Sequence, residues 1–361
     1  MTTCPICNNQ MEFENVYSST TLSIAALYEK EQDDFPVTEM RIEKCKICNF
    51  VVNTTPAEVD YGSKNYKSRT LVNTNKYLEL LGLETKLKIG IEIGCGTNPI
   101  IHTLSHVYST IDPSTSIEQD YNHLPWKLED SIAQFKDTAD ITVARHVLEH
   151  VKDINQFILD IIEITKENGL IYIEVPNFRE INAYSRCIDI FNDHISYFDA
   201  DNLSMLGMYH NLSPIKRIYL YQDQHVGVLF KKKMPISTRS MNLMSYDYNS
   251  YGFDTYIRTL ERAICHKDKI AMWGAGAHGN ALLDCLEEHK ITECFDLDKN
   301  KHGLYMLNNV KIVPPTEEFL SKYDTIVIAS ALHEQEIARG LRNKNIIYTA
   351  KGIYEINPYT I

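Results

Sequence analysis

Three groups of residues carry side chains whose types and spacing can do chemistry. The first is a pair of C-x-x-C knuckles, Cys4-Pro5-Ile6-Cys7 and Cys45-Lys46-Ile47-Cys48. Each can present two thiolates to one tetrahedral ion, and zinc is the default for such a set. Four cysteines leave no open position for water, so the expected site is structural. A module this small has little core without its metal. The plainer alternative is four reduced thiols with no ion.

The second group is a glycine turn, Glu92-Ile93-Gly94-Cys95-Gly96-Thr97-Asn98, at the end of a short β-branched strand that starts near Lys88. Gly94 and Gly96 permit backbone angles that a side chain forbids, and they let a ligand approach the main chain. About twenty residues after Glu92, a strand from Val107 to Ile111 ends in Asp112, a spacing that suggests a nucleoside site at the carboxyl edge of a parallel sheet. The turn would hold the ligand's polar chain, and Asp112 would accept from ribose hydroxyls. No third glycine follows, so the pattern departs from the dinucleotide fingerprint; the alternative is an unliganded tight turn.

The third group is histidines. His146 and His150 lie four apart in Arg145-His146-Val147-Leu148-Glu149-His150-Val151. That spacing fits a metal pair, or a loop packed beside the cofactor with Glu149 among apolar neighbours. His194 sits among aromatics in Phe191-Asn192-Asp193-His194-Ile195-Ser196-Tyr197-Phe198, as a titratable group or as core filling. His225 closes the turn Tyr221-Gln222-Asp223-Gln224-His225. With an acid two residues away it can serve as a general base, or it is a surface turn histidine.

The elements that must position these groups follow from apolar periodicity. A helix is expected over Leu71 to Leu83 and another over Asn155 to Ile164. Strands are expected over Ile141 to Ala144, Gly169 to Asn177, Ile215 to Leu220 and Val226 to Lys231. Arg145 and His146 then lie at the same sheet edge as Glu92 and Asp112. The polar stretch Tyr61 to Arg69 is a place for a substrate lid, or an exposed linker. A basic run to Pro235 marks a boundary. Beyond it a helix (Thr255 to Cys265) and a strand (Lys269 to Trp273) lead to Gly274-Ala275-Gly276-Ala277-His278-Gly279-Asn280, a helix to Glu288, and a strand ending at Asp296-Leu297-Asp298. By spacing alone this second Rossmann-like unit could bind NAD. Thr325 to Ala329 and Asn345 to Tyr348 read as later strands, with a helix from Glu334 between them. The organisation is α/β, with a module over 1–57, a nucleoside domain over 58–234 and a terminal unit over 235–361.

Composition narrows the function classes. The 361 residues carry a formal net charge of −12, which argues against a general nucleic-acid binder. No apolar run is long enough to span a membrane and the N-terminus lacks signal-peptide form, so a cytoplasmic protein is expected. Two C-x-x-C pairs among nine cysteines, in that compartment, point to metal rather than disulfides. No motif speaks to oligomeric state.

E-I-G-C-G followed by I-D-P-S resembles motif I and the acidic loop of class I S-adenosylmethionine (SAM) methyltransferases. Together with the cysteine knuckles, V-L-E-H-V, E-V-P-N, D-H-I-S-Y-F, the turn bearing His225, and G-A-G-A-H-G-N followed by D-L-D-K-N-K-H-G-L-Y, the chain resembles the three-domain sugar C-methyltransferases of deoxysugar pathways, which act on nucleotide-linked 4-keto sugars. The resemblance implies a zinc-binding module, a Rossmann-like SAM domain and a terminal Rossmann-like unit that helps hold the nucleotide-sugar. It implies a SAM site at Glu92, Gly94, Cys95, Gly96, Asp112, Arg145 and His146. It places the proposed base, which takes a proton from the carbon beside the keto group, on His225. His194 and Tyr66 would bond the keto oxygen while the enolate attacks the methyl carbon. The acceptor half departs from the family: its turn carries glycines and an arginine after the histidine where this chain reads His225-Val226-Gly227-Val228-Leu229-Phe230, Gln224 stands where an acid often does, and Asn192-Asp193-His194 replaces H-E-H. An N- or O-methyltransferase on a related sugar or glycan precursor is therefore the second expectation, and an NAD-dependent oxidoreductase the third.

Overall fold

The computed structural model describes residues 4–7, 13–22, 27–33, 35, 37–58, 76–96, 98–113, 122–232, 250–286, 288–341 and 343–356. Between the two cysteine knuckles the described residues include an antiparallel pair, β1 (Phe13–Leu22) and β2 (Val37–Cys45), in which Phe13 lies opposite Cys45. The second knuckle is the turn from β2 into β3 (Val51–Asn53). Asn49 takes a left-handed φ of 59° there, and the Cys45 amide donates to the Phe50 carbonyl at 2.8 Å. Asn adopts this conformation more readily than most residues, so it can close so tight a turn.

The central domain contains β4 (Leu87–Ile93), β5 (Ser105–Ile111), β6 (His123–Leu124), β7 (Ala139–Arg145), β8 (Thr165–Pro176), β9 (Ser196–Tyr197), β10 (Leu212–Leu220) and β11 (His225–Lys232). Seven of these form one sheet in the order β10-β11-β8-β7-β4-β5-β6, with β11 antiparallel to both neighbours and the other pairs parallel. The chain steps from β4 to β6 in one direction and from β7 to β8 in the other. Ligands bind such sheets at the carboxyl ends where the direction reverses. All of β7 except Asp140 is buried, as expected of a parallel strand covered on both faces. The helix Ile154–Ile164 starts where the Asp153 carboxylate accepts from the Gln156 amide at 3.0 Å. It buries Ile154, Phe157, Ile158, Ile161 and Ile164, one face at helical spacing. The helix expected over Leu71 to Leu83 is described as Tyr77–Leu81, ended by Gly82 at a left-handed φ of 74°.

The terminal unit is a second sheet of β12 (Ile270–Trp273), β13 (Glu293–Phe295), β14 (Lys311–Val313), β15 (Thr325–Ile328), β16 (Asn345–Tyr348) and β17 (Tyr354–Ile356), in the order β14-β13-β12-β15-β16-β17. It reverses direction at β12 in the same way.

The three units share structure. β9 leaves the central domain and pairs antiparallel with β3, setting Val51 opposite Tyr197 and Val52 opposite Ser196. One apolar core contains Met40, Ile42 and Val51 from the first unit, Ile181 and Ile188 from the second, and Phe253, Ile270 and Met272 from the third. The buried Arg186 donates to the Ala350 carbonyl at 2.6 Å, and Gln224 Nε2 donates to the Ala331 carbonyl at 3.1 Å. No helix among the described residues is long and apolar enough to cross a membrane.

Candidate active site

The glycine turn leaves β4 at the reversal point. Gly94 and Gly96 have φ of 63° and 53°. A Cβ on Gly94 would lie 2.1 Å from Val147 Cγ2, whereas a Cβ on Gly96 would meet nothing within 4 Å. Gly94 is thus demanded by packing against the V-L-E-H-V loop, and Gly96 leaves an open approach to the backbone. Asp112 Oδ2 accepts from the Gly96 amide at 2.9 Å, so the acid fixes the turn that it follows by one strand.

Glu92 and Arg145 brace this turn from below. Glu92 is fully buried; its Oε2 accepts from the amides of Ile100 and Ile101 at 2.7 and 2.9 Å, and its Oε1 lies 3.1 Å from Arg145 Nε. Arg145 Nη2 donates to the Asn98 carbonyl at 2.7 Å. Burial raises the Glu92 pKa, with Arg145 opposing that shift. Cys95 is buried and its thiol is pushed well up by desolvation.

Beside the turn stands a cluster that spans three strands. Glu174, near the end of β8, accepts from the hydroxyls of Tyr77 and Tyr172 at 2.8 Å each, both through Oε2. Its Oε1 points at two histidines, 3.4 Å from His146 Nε2 and 3.7 Å from His225 Nδ1. Glu174 Oε1 and His225 Nδ1 are both buried without a hydrogen-bond partner. His146, just after β7, is held at φ 54° with its amide on the Glu174 carbonyl. Burial works against its charge, but Glu149 and Glu174 outweigh that and lift its pKa to about 9. His225 goes the other way: burial, and then the His146 imidazolium with ring centroids 4.4 Å apart, push it down to about 4.

His225 is therefore not a surface turn residue. It is the first residue of β11, buried and opposite Pro176. The acid that faces it is Glu174 across the sheet, not Asp223 two positions away. Tyr221, Gln222 and Asp223 all take left-handed φ, of 52°, 57° and 72°, and the turn lays the Tyr221 ring 5.0 Å from that of His225.

His146 and His150 do not share one site. His150 faces His194, with ring centroids 4.7 Å apart, and Glu149 joins them. His194 is buried against Phe191 and Tyr197, and burial followed by the charge of His150 lowers its pKa to about 4. Tyr66 lies outside the described residues. Glu174, Tyr77, Tyr172 and Tyr221 are neighbours of the cluster that sequence reasoning did not single out. Glu174 stands in the quoted E-V-P-N, at the carboxyl end of a strand beside the glycine-turn strand's neighbour, and that position was the available signal.

The four knuckle cysteines converge. Cys4 Sγ lies 3.4 Å from Cys48 Sγ and Cys7 Sγ 3.9 Å from Cys45 Sγ, and all four sulfurs fall within 4.8 Å of one another. Sulfurs about 2.3 Å from one tetrahedral ion stand about 3.8 Å apart, so the donor set fits such an ion.

The terminal glycine turn repeats the device of the central one. Asp296 Oδ2 accepts from the Ala275 amide at 3.0 Å, and Lys301 Nζ sits 3.3 Å from the same oxygen. The acid that spacing offers to a ribose is already engaged by the turn and by a lysine.

A family model described as a methyltransferase domain matches residues 67–213, which contain the glycine turn and both histidine clusters except His225. This chain is a SAM-dependent methyltransferase. In the methyltransferase the domain coincides with the reversing parallel sheet, and residues 266–351 match a second family model, described as C2185-like, N-terminal. Among solved structures it is similar to the N-methyltransferase NodS from Bradyrhizobium japonicum WM9, at 13% identity and TM-score 0.34, over 45% of this chain and 94% of that one. A SAM-dependent methyltransferase from Archaeoglobus fulgidus matches at 14% identity and TM-score 0.33, over 44% of this chain and 92% of that one. The CurJ carbon methyltransferase matches at 12% identity and TM-score 0.33, over 44% of this chain and 54% of that one. No curated protein matches the chain.

Proposed function

We propose that the methyltransferase acts on a nucleotide-linked sugar and methylates the carbon beside a keto group. The observation that carries the reading is a buried histidine kept neutral next to the cofactor turn: His225, with Glu174 Oε1 at its Nδ1. A carboxylate at Nδ1 favours the tautomer with its proton there, which leaves Nε2 as the proton acceptor. Carbon acids need such a base, because a C–H bond does not ionise unaided. The sugar class rests on the order of motifs along the chain.

SAM, when bound, supplies a methyl group on a sulfonium that leaves as a neutral thioether. Gly94, Cys95, Gly96 and Asp112 line its place, while Glu92 and Arg145 keep the turn in shape and His146 stands beside it. His225 takes the proton from the acceptor carbon, and the electron pair moves onto the keto oxygen. The His146 imidazolium, held by Glu149 and Glu174, stabilises the negative charge that grows there, as a preorganised donor does. His194 and Tyr66 are the further candidates for that oxygen. The four thiolates hold structural zinc. The terminal unit reaches the His225 turn through Gln224 and Ala331 and serves to hold the nucleotide.

The test is transfer from methyl-labelled SAM to a panel of nucleotide-linked keto and amino sugars, with the label located by NMR. A label on carbon beside a keto group is expected. A label on nitrogen or oxygen would overturn the enolate step.

A further inference from the structure

We infer that Glu149, His150 and His194 form a site for one divalent first-row transition cation. One ligand atom from each of the three lies within 4.8 Å of the others. The ring nitrogen roles at His150 are already divided. Its Nδ1 stands 3.3 Å from the Asp193 carbonyl and 3.5 Å from Asp193 Oδ2, so that nitrogen carries the proton and Nε2 keeps the lone pair. Metal-ligating histidines are oriented in this way, by a carbonyl or carboxylate on the far nitrogen.

Glu149 supplies the second, independent observation. It is 2% exposed, yet its Oε2 has no hydrogen-bond partner. Its other oxygen is occupied by His146 Nδ1 at 3.4 Å. A buried carboxylate oxygen without a partner is costly, and a cation would remove that cost. Glu149 and Glu174 place two buried negative charges in this corner; His146 adjoins both, and Arg145 acts on Glu174 while also paired with Glu92. Two imidazoles and one carboxylate suit manganese, iron, cobalt or zinc better than calcium, and they leave coordination positions for oxygens of the acceptor. Ligand bonds of about 2.1 Å would draw the three atoms to about 3 Å apart.

The companion trio of His146, Glu174 and His225 also lies within 4.8 Å. Its Glu174 is tied to two tyrosine hydroxyls, and His225 cannot be at once a ligand through Nδ1 and a base through Nε2. At the Glu149 site the base is left free, and His194 would act on the keto oxygen through the ion rather than by bonding it directly. A bound cation there accepts a lone pair from the keto oxygen as the proton moves to His225, so charge is stabilised without a further proton donor. This use of the ion rests on the proposed function; the binding of the ion does not.

The probe is Mn²⁺ alone, titrated into full-length protein whose cysteines carry their zinc and followed by electron paramagnetic resonance. Thiolates take up Mn²⁺ poorly, so the cysteine cluster does not compete. One tight Mn²⁺ per chain is expected, weakened at least tenfold in both Glu149→Gln and His150→Ala, with Asp296→Asn as the unaffected control. Asp193→Asn should weaken it as well, through His150. SAM binding by each variant verifies its fold. Mn²⁺ uptake no tighter than in Glu149→Gln, or equal in all variants, overturns the site. Labelled carbon with no Mn²⁺ bound would leave the proposed function standing and remove the cation. Mn²⁺ held by these residues with no sugar methylated would do the reverse.

Discussion

Glu174 Oε1 and His225 Nδ1 face each other at 3.7 Å across two antiparallel strands, both buried and neither with a hydrogen-bond partner. The pair is held from behind, because the Tyr77 and Tyr172 hydroxyls occupy the other oxygen of Glu174. The carboxylate therefore cannot rotate away from the histidine without breaking two hydrogen bonds. In the proposed reaction this would fix where the acceptor's proton goes.

Replacing His225 by Ala should lower turnover by about 10²- to 10⁴-fold, the range for a lost general base, while leaving SAM affinity unchanged. Single-turnover rates and calorimetric SAM binding on the same preparation separate the two effects. Retained turnover would show that another group takes the proton.

Asp112→Ala should weaken SAM binding by about tenfold or more. The carboxylate's hydrogen bond to the Gly96 amide has the strength of one to a charged group, about 1.5–3 kcal/mol, and it shapes the turn proposed to receive the ligand. Isothermal titration with SAM reads this directly, and unchanged affinity would undo the placement of the cofactor.

Gly94→Ala should destabilise the fold by about 2–4 kcal/mol, from a left-handed residue given a side chain and from a clash with Val147. Gly96→Ala has the same backbone strain but no clash, so its stability loss should be smaller and its SAM loss comparable. Denaturant midpoints and SAM titrations of the two variants give the comparison.

If the cluster holds zinc as proposed, Cys45→Ser should abolish its retention and lower the melting temperature by about 4 °C, the shift for a loss of about 3 kcal/mol in a chain of this size. Zinc content by mass spectrometry alongside a thermal melt checks it. Equal stability with no zinc would make the cluster four reduced thiols.

The histidines set a pH dependence whose sign can be worked out. His225 is lowered to about 4 in the fold, while an unfolded histidine titrates near 6.5. Between those values the unfolded chain binds the extra proton, so this group makes stability fall as pH drops from about 6.5 to about 4. His146 is raised to about 9, so its contribution is complete below about 6.5 and is lost as pH rises through about 9. The two together predict greatest stability near pH 6.5, measurable by urea unfolding across pH. The acid limb of kcat/KM should lie near pH 4–5, and His146→Ala should move it upward by removing the adjacent positive charge.

Much of the fold was legible in the residues. β16 (Asn345–Tyr348) has the bounds that its apolar run predicts, and the helix Ile154–Ile164 begins one residue before the expected start. Both glycine turns stand where their spacing places them. The readings that missed did so because contact partners are not encoded by nearness in sequence. Asp223 is the acid next to His225 along the chain, but β8 and β11 are neighbours in space, and the facing acid is Glu174. The spacing of His146 and His150 suits one helical face. However, His146 takes a left-handed φ and the segment Leu148–His150 is a single 3₁₀ turn, so the two rings are sent to different clusters. A buried Glu174 looks, in sequence, like any charged residue within a strand.

The pairing of β3 with β9 orders events during synthesis. The short β3 is made at residues 51–53, and its outer edge finds its strand partner only when residues 196–197 emerge, more than a hundred positions later. Until then the nascent N-terminal sheet presents open amide and carbonyl groups, a template for pairing with another chain. A zinc-loaded knuckle at the β2–β3 turn would hold that waiting edge in register. Early metal capture would then protect against misassembly on the ribosome, well before it contributes to the finished enzyme.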